Sequence, residues 1–404
     1  MPLSKTLNCW PTLPVVIQYG GSSTLDQPTP EDEDNIAAAV LKQSGRVSSI
    51  NLTITISLLE KIRMISEPFL ELEELILLSQ ENVQLTLPST FRWGPRLRTL
   101  HFTRIAFPTL PQLLLSSRNI VDLQLREAID PWHISPATLL NALSGMPQLQ
   151  SLSLHFSSIV DWRCIASPLP FGERIILLAL TRLDIRGINA YVEDLVASID
   201  APGLKDIEIT FLNQRIAVAS KLSGFIDRVQ MQKSHRRAYI LSSKRCISIY
   251  LTQAGAPTCL KVQILCETLS GQVYSMSQIC SRFSAFILRV EDLRVNVTRP
   301  SSGHDDVDGG QWLNLINSFT SVKWFHLDGN LSTNIVLALQ SSERRPETVL
   351  PALHKLCLQE PEPHSAPLRE VVGSFIHSRR LSGRFIAVEL YRTGEYALSA
   401  DTRS

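Results

Sequence analysis

The best candidate for a metal site in the sequence is one acidic run, Asp305-Asp306-Val307-Asp308-Gly309-Gly310. Three carboxylates beside two glycines are ligand types that suit Ca²⁺, but the full calcium-loop spacing and its closing glutamate are absent. The simpler interpretation is a solvated loop in which Asp308 lies close to a helix start. We therefore predict no metal site and no cofactor.

Residues for catalysis show no recognisable arrangement. The chain has no Gly-x-Ser-x-Gly, phosphate-loop, Gly-x-Gly-x-x-Gly or His-Glu-x-x-His motif. Its seven cysteines could form disulfides or bind zinc, but none forms a Cys-x-x-Cys pair, and buried thiols are the simpler interpretation. We predict a non-enzymatic protein with no catalytic residues, and a hydrolase without a known motif is the remaining alternative.

The balance of charged residues limits the classes of partner that the chain is suited to bind. Lys and Arg total 39 and Asp and Glu total 38, so the basic excess expected of a nucleic-acid or membrane-surface protein is absent. The basic run from Lys233 to Arg237 could bind phosphate or an acidic partner, but without interleaved aromatic residues it suits a solvated edge. We expect no nucleic acid and no membrane as partners.

The amino-terminal residues and the lengths of the apolar stretches bear on the cellular compartment of the protein. Pro11 and Pro14 break the only early apolar run, so a secretory signal is not expected. No stretch reaches the roughly 18 apolar residues of a membrane span. The sequence therefore predicts an intracellular protein, either cytoplasmic or nuclear.

A repeated leucine pattern predicts the fold that positions the polar and charged side chains of the sequence. Met146–Phe156 reads MPQLQSLSLHF, which contains L-x-x-L-x-L with leucines at 149, 152 and 154. The pattern occurs ten times in the chain, and most copies fit the period of leucine-rich repeats, about 20–29 residues. The copies begin at Val47, Leu72, Leu97, Ile120, Leu149, Leu180, Leu204, Val290, Val322 and Leu353.

The fold follows from strand geometry. Positions 4 and 6 of each copy lie on one face of a strand because side chains alternate. One copy cannot bury that face alone, so copies must stack. We predict an α/β leucine-rich-repeat-like solenoid, a horseshoe with parallel strands on the concave face and helices on the convex face. An ordinary α/β sheet is the alternative, which the regular register disfavours.

The connecting segments predict helices and domain limits. Thr29-Pro30 and Ser135-Pro136 have the residue types of helix starts. We predict one domain over residues 1–404, with a cap segment at 1–31 and regular repeats at 32–209. Residues 210–285 are either irregular repeats or a hairpin insertion, and 286–404 form carboxy-terminal repeats and a cap.

The outward strand positions predict a contact surface. They fall on the inner curve of such a horseshoe, and their mixed polar and charged character suits a protein or peptide partner. Arginines are the expected anchors, because arginine is enriched at hot spots and binds carboxylates with two hydrogen bonds. Asp122 and Asp184 are expected to hold the arginines extended. The predicted protein-binding residues are His101, Gln124, Arg126, His155, Arg182, Asp184 and Arg186.

Several motifs resemble a known family. NCWPTLPVVIQYGG, STFRWGPRLRTLHF, ALSGMPQLQSLSLHF, RVEDLRVNV, DDVDGGQWLNLI and SRRLSGRF are similar to the region after the F-box in an expanded F-box protein family of mushroom-forming (basidiomycete) fungi. The resemblance covers nearly the whole chain. It implies an adaptor, in which the F-box docks on the Skp1 subunit of a cullin-RING ubiquitin ligase and the repeats hold a substrate.

An F-box itself is not found in this sequence, so Skp1 docking is not expected from this chain as written. The sequence thus favours the substrate-recognition part of an F-box-type ubiquitin ligase adaptor. The alternative is a free-standing leucine-rich-repeat interaction scaffold unrelated to ubiquitin ligation.

Overall fold

The structure is a computed structural model. It describes residues 13–19, 29–62, 67–80, 85–88, 91–106, 110–127, 135–156, 174–212, 216, 220–229, 236–252, 260–297, 309–329, 332–341, 349–359, 366–381 and 383–391. The chain divides into two compact units. The first comprises Met1–Gly187 with Asp194–Leu204, and the second comprises Ile188–Glu193 with Lys205–Ser404.

The elements up to the end of the first unit alternate between strands and helices. In chain order they are β1 (Val15–Tyr19), α1 (Pro30–Lys42), β2 (Val47–Ile54), α2 (Ile56–Ile62), β3 (Glu74–Ser79), β4 (Leu85–Thr86), β5 (Thr99–Thr103), β6 (Ile105–Ala106), α3 (Leu110–Ser116), β7 (Asp122–Arg126), α4 (Pro136–Ser144), β8 (Ser151–His155), β9 (Ile175–Ile176), β10 (Arg182–Gly187), α5 (Asn189–Ala197) and β11 (Ile199–Asp200). A 3₁₀ turn at Ser44–Arg46 follows α1.

The elements of the second unit follow. They are β12 (Asp206–Phe211), α6 (Ser220–Arg228), β13 (Arg237–Ser243), β14 (Cys246–Thr252), β15 (Leu260–Leu265), α7 (Leu269–Arg282), α8 (Ser284–Ile287), β16 (Asp292–Val297), α9 (Gly309–Ile316), β17 (Trp324–Gly329), α10 (Ser332–Ser341), β18 (Lys355–Gln359), α11 (Ala366–Leu381) and β19 (Ala387–Tyr391).

The first unit has a parallel sheet in the order β1-β2-β3-β5-β7-β8-β10. Equivalent motif residues lie opposite each other, so that Leu123 pairs with Leu100 on one side and with Leu152 on the other. Helix α1 contacts α2, and α3 contacts α4. The repeated alternation of strand and helix therefore produces parallel neighbouring strands, as predicted.

The second unit has a mostly parallel sheet in the order β12-β15-β14-β13-β16-β17-β18-β19. Strand β14 is the exception, because it is antiparallel to both β13 and β15. Strands β13 and β14 form a hairpin whose last pair is Ser243 and Cys246. For residues 210–285 the sequence left open irregular repeats or a hairpin insertion, and a hairpin is what Arg237–Thr252 forms. The predicted domain limits stay predictions.

The core consists of the repeated apolar positions. In all ten copies the residues at positions 1, 4 and 6 are at most 5% exposed, Leu353 being the most accessible. Leu152 and its neighbours across the sheet, Leu123 and Leu183, are fully buried. The L-x-x-L-x-L pattern thus predicted the buried face of every strand that carries it.

The predicted helix starts are also confirmed. Thr29 Oγ1 accepts from the backbone N–H of Asp32 at 3.3 Å, and the Thr29 N–H donates to Asp32 Oδ2 at 3.1 Å, which is a capping box. Ser135 Oγ accepts from the N–H of Thr138 at 3.1 Å. Both caps satisfy backbone N–H groups that the first turn of a helix leaves without an internal acceptor.

Candidate functional site

The outward side chains of the first unit form what we call the polar face, the sheet surface opposite its buried leucines. The seven predicted residues all belong to its strands β5, β7, β8 and β10, but the parallel register arranges them in three rows across the strands rather than in one column. The rows are Asp122–Ser151–Arg182, then His101–Gln124–Ser153–Asp184, then Arg126–His155–Arg186.

Asp184 is the most buried of the predicted residues, at 8% exposed. Its Oδ2 atom is 2.8 Å from His155 Nε2 and accepts from Ser153 Oγ at 3.1 Å. Arg126 Nη2 lies 3.8 Å from the same oxygen. Burial opposes ionisation of Asp184, but His155, Ser153 and Arg126 outweigh it and hold the pKa of the carboxyl below its usual value.

Asp122 repeats this arrangement two repeats earlier. Its Oδ2 atom is 2.9 Å from His101 Nε2, and Gln124 Nε2 donates to it at 3.3 Å. Burial again opposes ionisation, and the contacts with His101, Ser151 and Gln124 keep the pKa of Asp122 below its ordinary value. Two carboxylates of the polar face are therefore each bound by a histidine of the preceding strand.

The arginines differ in how they are held. Arg126 Nε donates to Ser153 Oγ at 3.3 Å and its side chain is 39% exposed. Arg182 is exposed. The side chain of Arg186 makes no hydrogen bond or ion pair with another residue in the described part of the chain. The prediction that Asp122 and Asp184 hold the arginines extended needs refinement. The closest partners of these two carboxylates are histidines. Of Arg126, Arg182 and Arg186, only Arg126 contacts Asp184, at 3.8 Å.

Ser153, His155 and Asp184 contain the residue types of a hydrolytic triad in a different geometry. In such a triad the serine and the carboxylate contact opposite nitrogens of the imidazole ring. Here Ser153 Oγ, at 3.5 Å, and Asp184 Oδ2, at 2.8 Å, both face Nε2 of His155. Ser153 also donates directly to Asp184. The arrangement of these three side chains therefore differs from that of a hydrolytic triad.

Other sequence candidates contribute less. The acidic run 305–310 lies mostly outside the described residues, since only Gly309 and Gly310 fall within them. Within the described ranges, no group of His, Cys, Asp and Glu side chains has the geometry to hold a metal ion. Of the basic run, Lys233, Ser234 and His235 lie outside the described residues, while Arg236 lies 3.9 Å from Glu291 and Arg237 lies 3.7 Å from Asp292. The solvated-edge interpretation stays a prediction.

A second polar surface, on the sheet of the second unit, was not anticipated. Arg294 lies over the ring of Tyr239 at 5.5 Å, and Lys261 lies over the ring of Tyr250 at 5.7 Å. Trp324 is 42% exposed on the same sheet. The alternating strand pattern of RRAYILSSKRCISIYLTQ could have indicated the tyrosines, but their pairing depends on the hairpin register, in which Tyr239 faces Tyr250.

Comparison with known proteins adds little to this description. No protein-family model matches the chain, and no curated protein matches it. Among solved structures it aligns with the crystal structure of the leucine-rich repeat-containing protein LegL7 from Legionella pneumophila, over 89% of this chain and 96% of that one. The identity is 12% and the TM-score 0.30, which is too low to support an argument.

In the ranges that the structure describes, no helix is both long and apolar enough to cross a membrane.

Proposed function

We propose that this chain is a non-enzymatic protein-binding module that takes a protein or peptide partner on the polar face of the first unit. The observation that carries the proposal is the registered set Arg126, Arg182 and Arg186, which stands on one sheet surface. Arginine is enriched among the residues that dominate binding energy, and it reaches carboxylates and carbonyl groups across an interface. A rigid sheet also positions such side chains better than a loop does.

The architecture that we propose is the leucine-rich-repeat-like solenoid, a horseshoe with strands on its inner curve. Ten buried copies of one motif and parallel neighbouring strands support it. Successive helices of the second unit also contact one another, α7 with α9, α9 with α10, and α10 with α11. Such stacking suits repeats that each contact mainly their neighbours.

The absence of enzyme activity is likewise a proposal. The Ser153–His155–Asp184 geometry supports it, because the serine and the carboxylate contact the same ring nitrogen. Burial raises the pKa of the Cys357 thiol to about 11, and burial also raises the pKa of Cys280. Neither thiol supplies the thiolate that a cysteine nucleophile needs at neutral pH.

In the cell, we propose, the module recognises substrates for an F-box-type ubiquitin ligase, in the cytoplasm or the nucleus. Only the resemblance of its motifs to the fungal F-box family supports this finer proposal. The alternative is a free-standing scaffold with no ligase link. Skp1 docking is not expected from this chain as written under either hypothesis, so a Skp1 pull-down does not separate them. The test is whether the gene encodes an in-frame F-box upstream of Met1, which the ligase adaptor requires and the scaffold does not.

The test of the binding module is partner capture by proximity labelling in cells. Reversing charge with Arg182→Glu and Arg186→Glu together should abolish capture, while circular dichroism shows that folding is intact. The matched control reverses Arg96 and Arg104, which lie in the same unit and form exposed ion pairs with Glu71 and Glu127. An unchanged partner set from a folded Arg182/Arg186 variant would place binding elsewhere, and the surface around Tyr239 would be the next to test.

A further inference from the structure

The third row of the polar face, Arg126–His155–Arg186, carries an imbalance of charge. In register, His155 lies directly between the two arginines on neighbouring strands. Strands are spaced by about 4.8 Å, so the backbones of Arg126 and Arg186 are roughly 10 Å apart. Two arginines therefore stand on either side of one histidine in the register, and the guanidinium group of Arg126 reaches Ser153 in the neighbouring row at 3.3 Å.

The carboxylates near this row already have hydrogen-bonding partners. Asp184 lies in the neighbouring row of the same face, is 8% exposed, and accepts from both His155 and Ser153. Asp122 accepts from His101 and Gln124. Arg126 reaches Asp184 only at 3.8 Å, and Arg186 has no side-chain partner in the described part of the chain. The row thus presents positive charge that its own carboxylates do not neutralise at close range.

We infer that the row binds an acidic segment of a partner protein, with one carboxylate seated above His155 between Arg126 and Arg186. This inference rests on the proposed protein-binding function and specifies the chemistry of the partner. The planar guanidinium group donates two parallel hydrogen bonds to a carboxylate, and charge-assisted bonds of this type are stronger than neutral ones. Asp184, in the neighbouring row, contacts both His155 and Arg126 and holds them in place, so the site is formed before the partner arrives.

The chemistry also determines what the site rejects. A basic segment adds repulsion along the row, and an apolar segment offers no side-chain acceptor to the guanidinium of Arg186. A glutamine-rich segment of the same length can accept hydrogen bonds, but it lacks the charge that strengthens them. Preference for carboxylate over carboxamide is therefore the property to measure.

The experiment measures fluorescence anisotropy of labelled oligoglutamate with the full chain at physiological ionic strength. Wild type should bind oligoglutamate and not oligoglutamine of equal length. Replacing Arg126 and Arg186 by glutamine (R126Q/R186Q) should weaken binding at least about tenfold, which corresponds to about 1.4 kcal/mol. Replacing Arg96 and Arg104 by glutamine (R96Q/R104Q) removes the same charge from the same unit and should change binding little.

A single variant guards against loss of folding. Arg186→Gln removes a side chain with no partner in the described residues, so it should weaken oligoglutamate binding several-fold while circular dichroism stays unchanged. The inference is overturned if R126Q/R186Q binds oligoglutamate as well as R96Q/R104Q does. It is also overturned if a phosphoserine peptide binds and oligoglutamate does not.

Failure of this inference can be distinguished from failure of the binding module. If partners captured in cells are lost from the Arg182→Glu/Arg186→Glu variant but contain no acidic segment, the module stands and the acidic-partner inference falls. If that variant keeps all partners, the proposed binding surface itself is wrong.

Discussion

His155 Nε2 contacts Asp184 Oδ2 at 2.8 Å, although the residue directly opposite His155 in the sheet register is Arg186. The contact runs diagonally, from one strand to a residue two positions earlier on the next. Diagonal neighbours on a sheet are within reach of long side chains. His101 and Asp122 repeat the same diagonal at 2.9 Å, so the histidine–carboxylate contact is a recurring feature of this surface.

Replacing Asp184 by asparagine should destabilise the first unit at neutral pH. The change removes a charged acceptor of His155 and Ser153, and we expect a loss on the order of 1–3 kcal/mol. The folded-state pKa of Asp184 is below the ordinary value of 3.8 for an aspartate, so its ionised form contributes stability above that pH. This contribution disappears as the pH falls through the lowered pKa, and the difference between wild type and variant should narrow there.

Urea denaturation followed at neutral pH and at successively lower pH measures this difference. Asp227→Asn is the control, because Asp227 is an exposed carboxylate on α6. A stability difference between wild type and Asp184→Asn that does not narrow as the pH falls below 3.8 would contradict the prediction.

Leu152→Asp should unfold the first unit. Leu152 is fully buried between Leu123 and Leu183, and a carboxylate there has no hydrogen-bonding partner among apolar neighbours. We expect a loss of more than about 4 kcal/mol. Thermal unfolding followed by circular dichroism measures it, with Gln150→Asp as the control on a neighbouring exposed position. A variant that keeps its full melting transition would show that the buried repeat is not what stabilises this unit.

The sequence predicts the buried side of the sheet well, because burial follows directly from the period of two along a strand. Leu149, Leu152 and Leu154 illustrate this, since all three are at most 1% exposed. The caps at Thr29 and Ser135 are also local, since each depends on residues within three positions. Such features need no knowledge of which strands are neighbours.

The candidate site is less predictable because it depends on register between distant residues. Asp184 has an outward strand position, yet it is buried, since His155 and Arg126 of earlier strands close over it. The cation–aromatic contacts of Tyr239 and Tyr250 depend on a hairpin that places β14 antiparallel to its neighbours. Spacing along one chain segment contains neither piece of information.

Gly94→Ala should destabilise the turn before β5. A Cβ atom at Gly94 would lie 2.6 Å from the backbone O and 2.7 Å from the Cα of Leu70, closer than real contacts allow. Because both atoms belong to the backbone, relief requires moving the Phe69–Trp93 bridge nearby. We expect a loss of about 1–3 kcal/mol in the free energy of unfolding.

Gly45→Ala is the matched control for this substitution. Nothing lies within 4 Å of a Cβ atom built at Gly45. It should therefore be neutral or slightly stabilising, because alanine restricts the unfolded chain more than glycine does. Equal melting temperatures for the two variants would refute the steric explanation.

His326 gives the second unit its own pH dependence. It lies on β17 with its Nε2 atom 3.4 Å from Asp292 Oδ1, and it is 7% exposed. Burial lowers its pKa from 6.5 to about 4; the charges of Arg294 and Lys355 act in the same direction, and those of Asp292 and Glu389 oppose them. In the unfolded chain the imidazole has its ordinary pKa, so between these two values the unfolded state binds a proton that the folded state does not.

Stability of the sheet around β17 should therefore be fully present above pH 6.5 and fall as the pH drops toward 4, with a slope approaching about 1.4 kcal/mol per pH unit. Replacing His326 by glutamine should flatten this dependence, because glutamine does not titrate. Hydrogen–deuterium exchange of peptides covering β16, β17 and β18 measures the local opening energy at each pH. His354→Gln serves as the control, since His354 is an exposed histidine in the same unit. If the His326→Gln variant loses protection with acidification as steeply as wild type does, the titrating group is not His326.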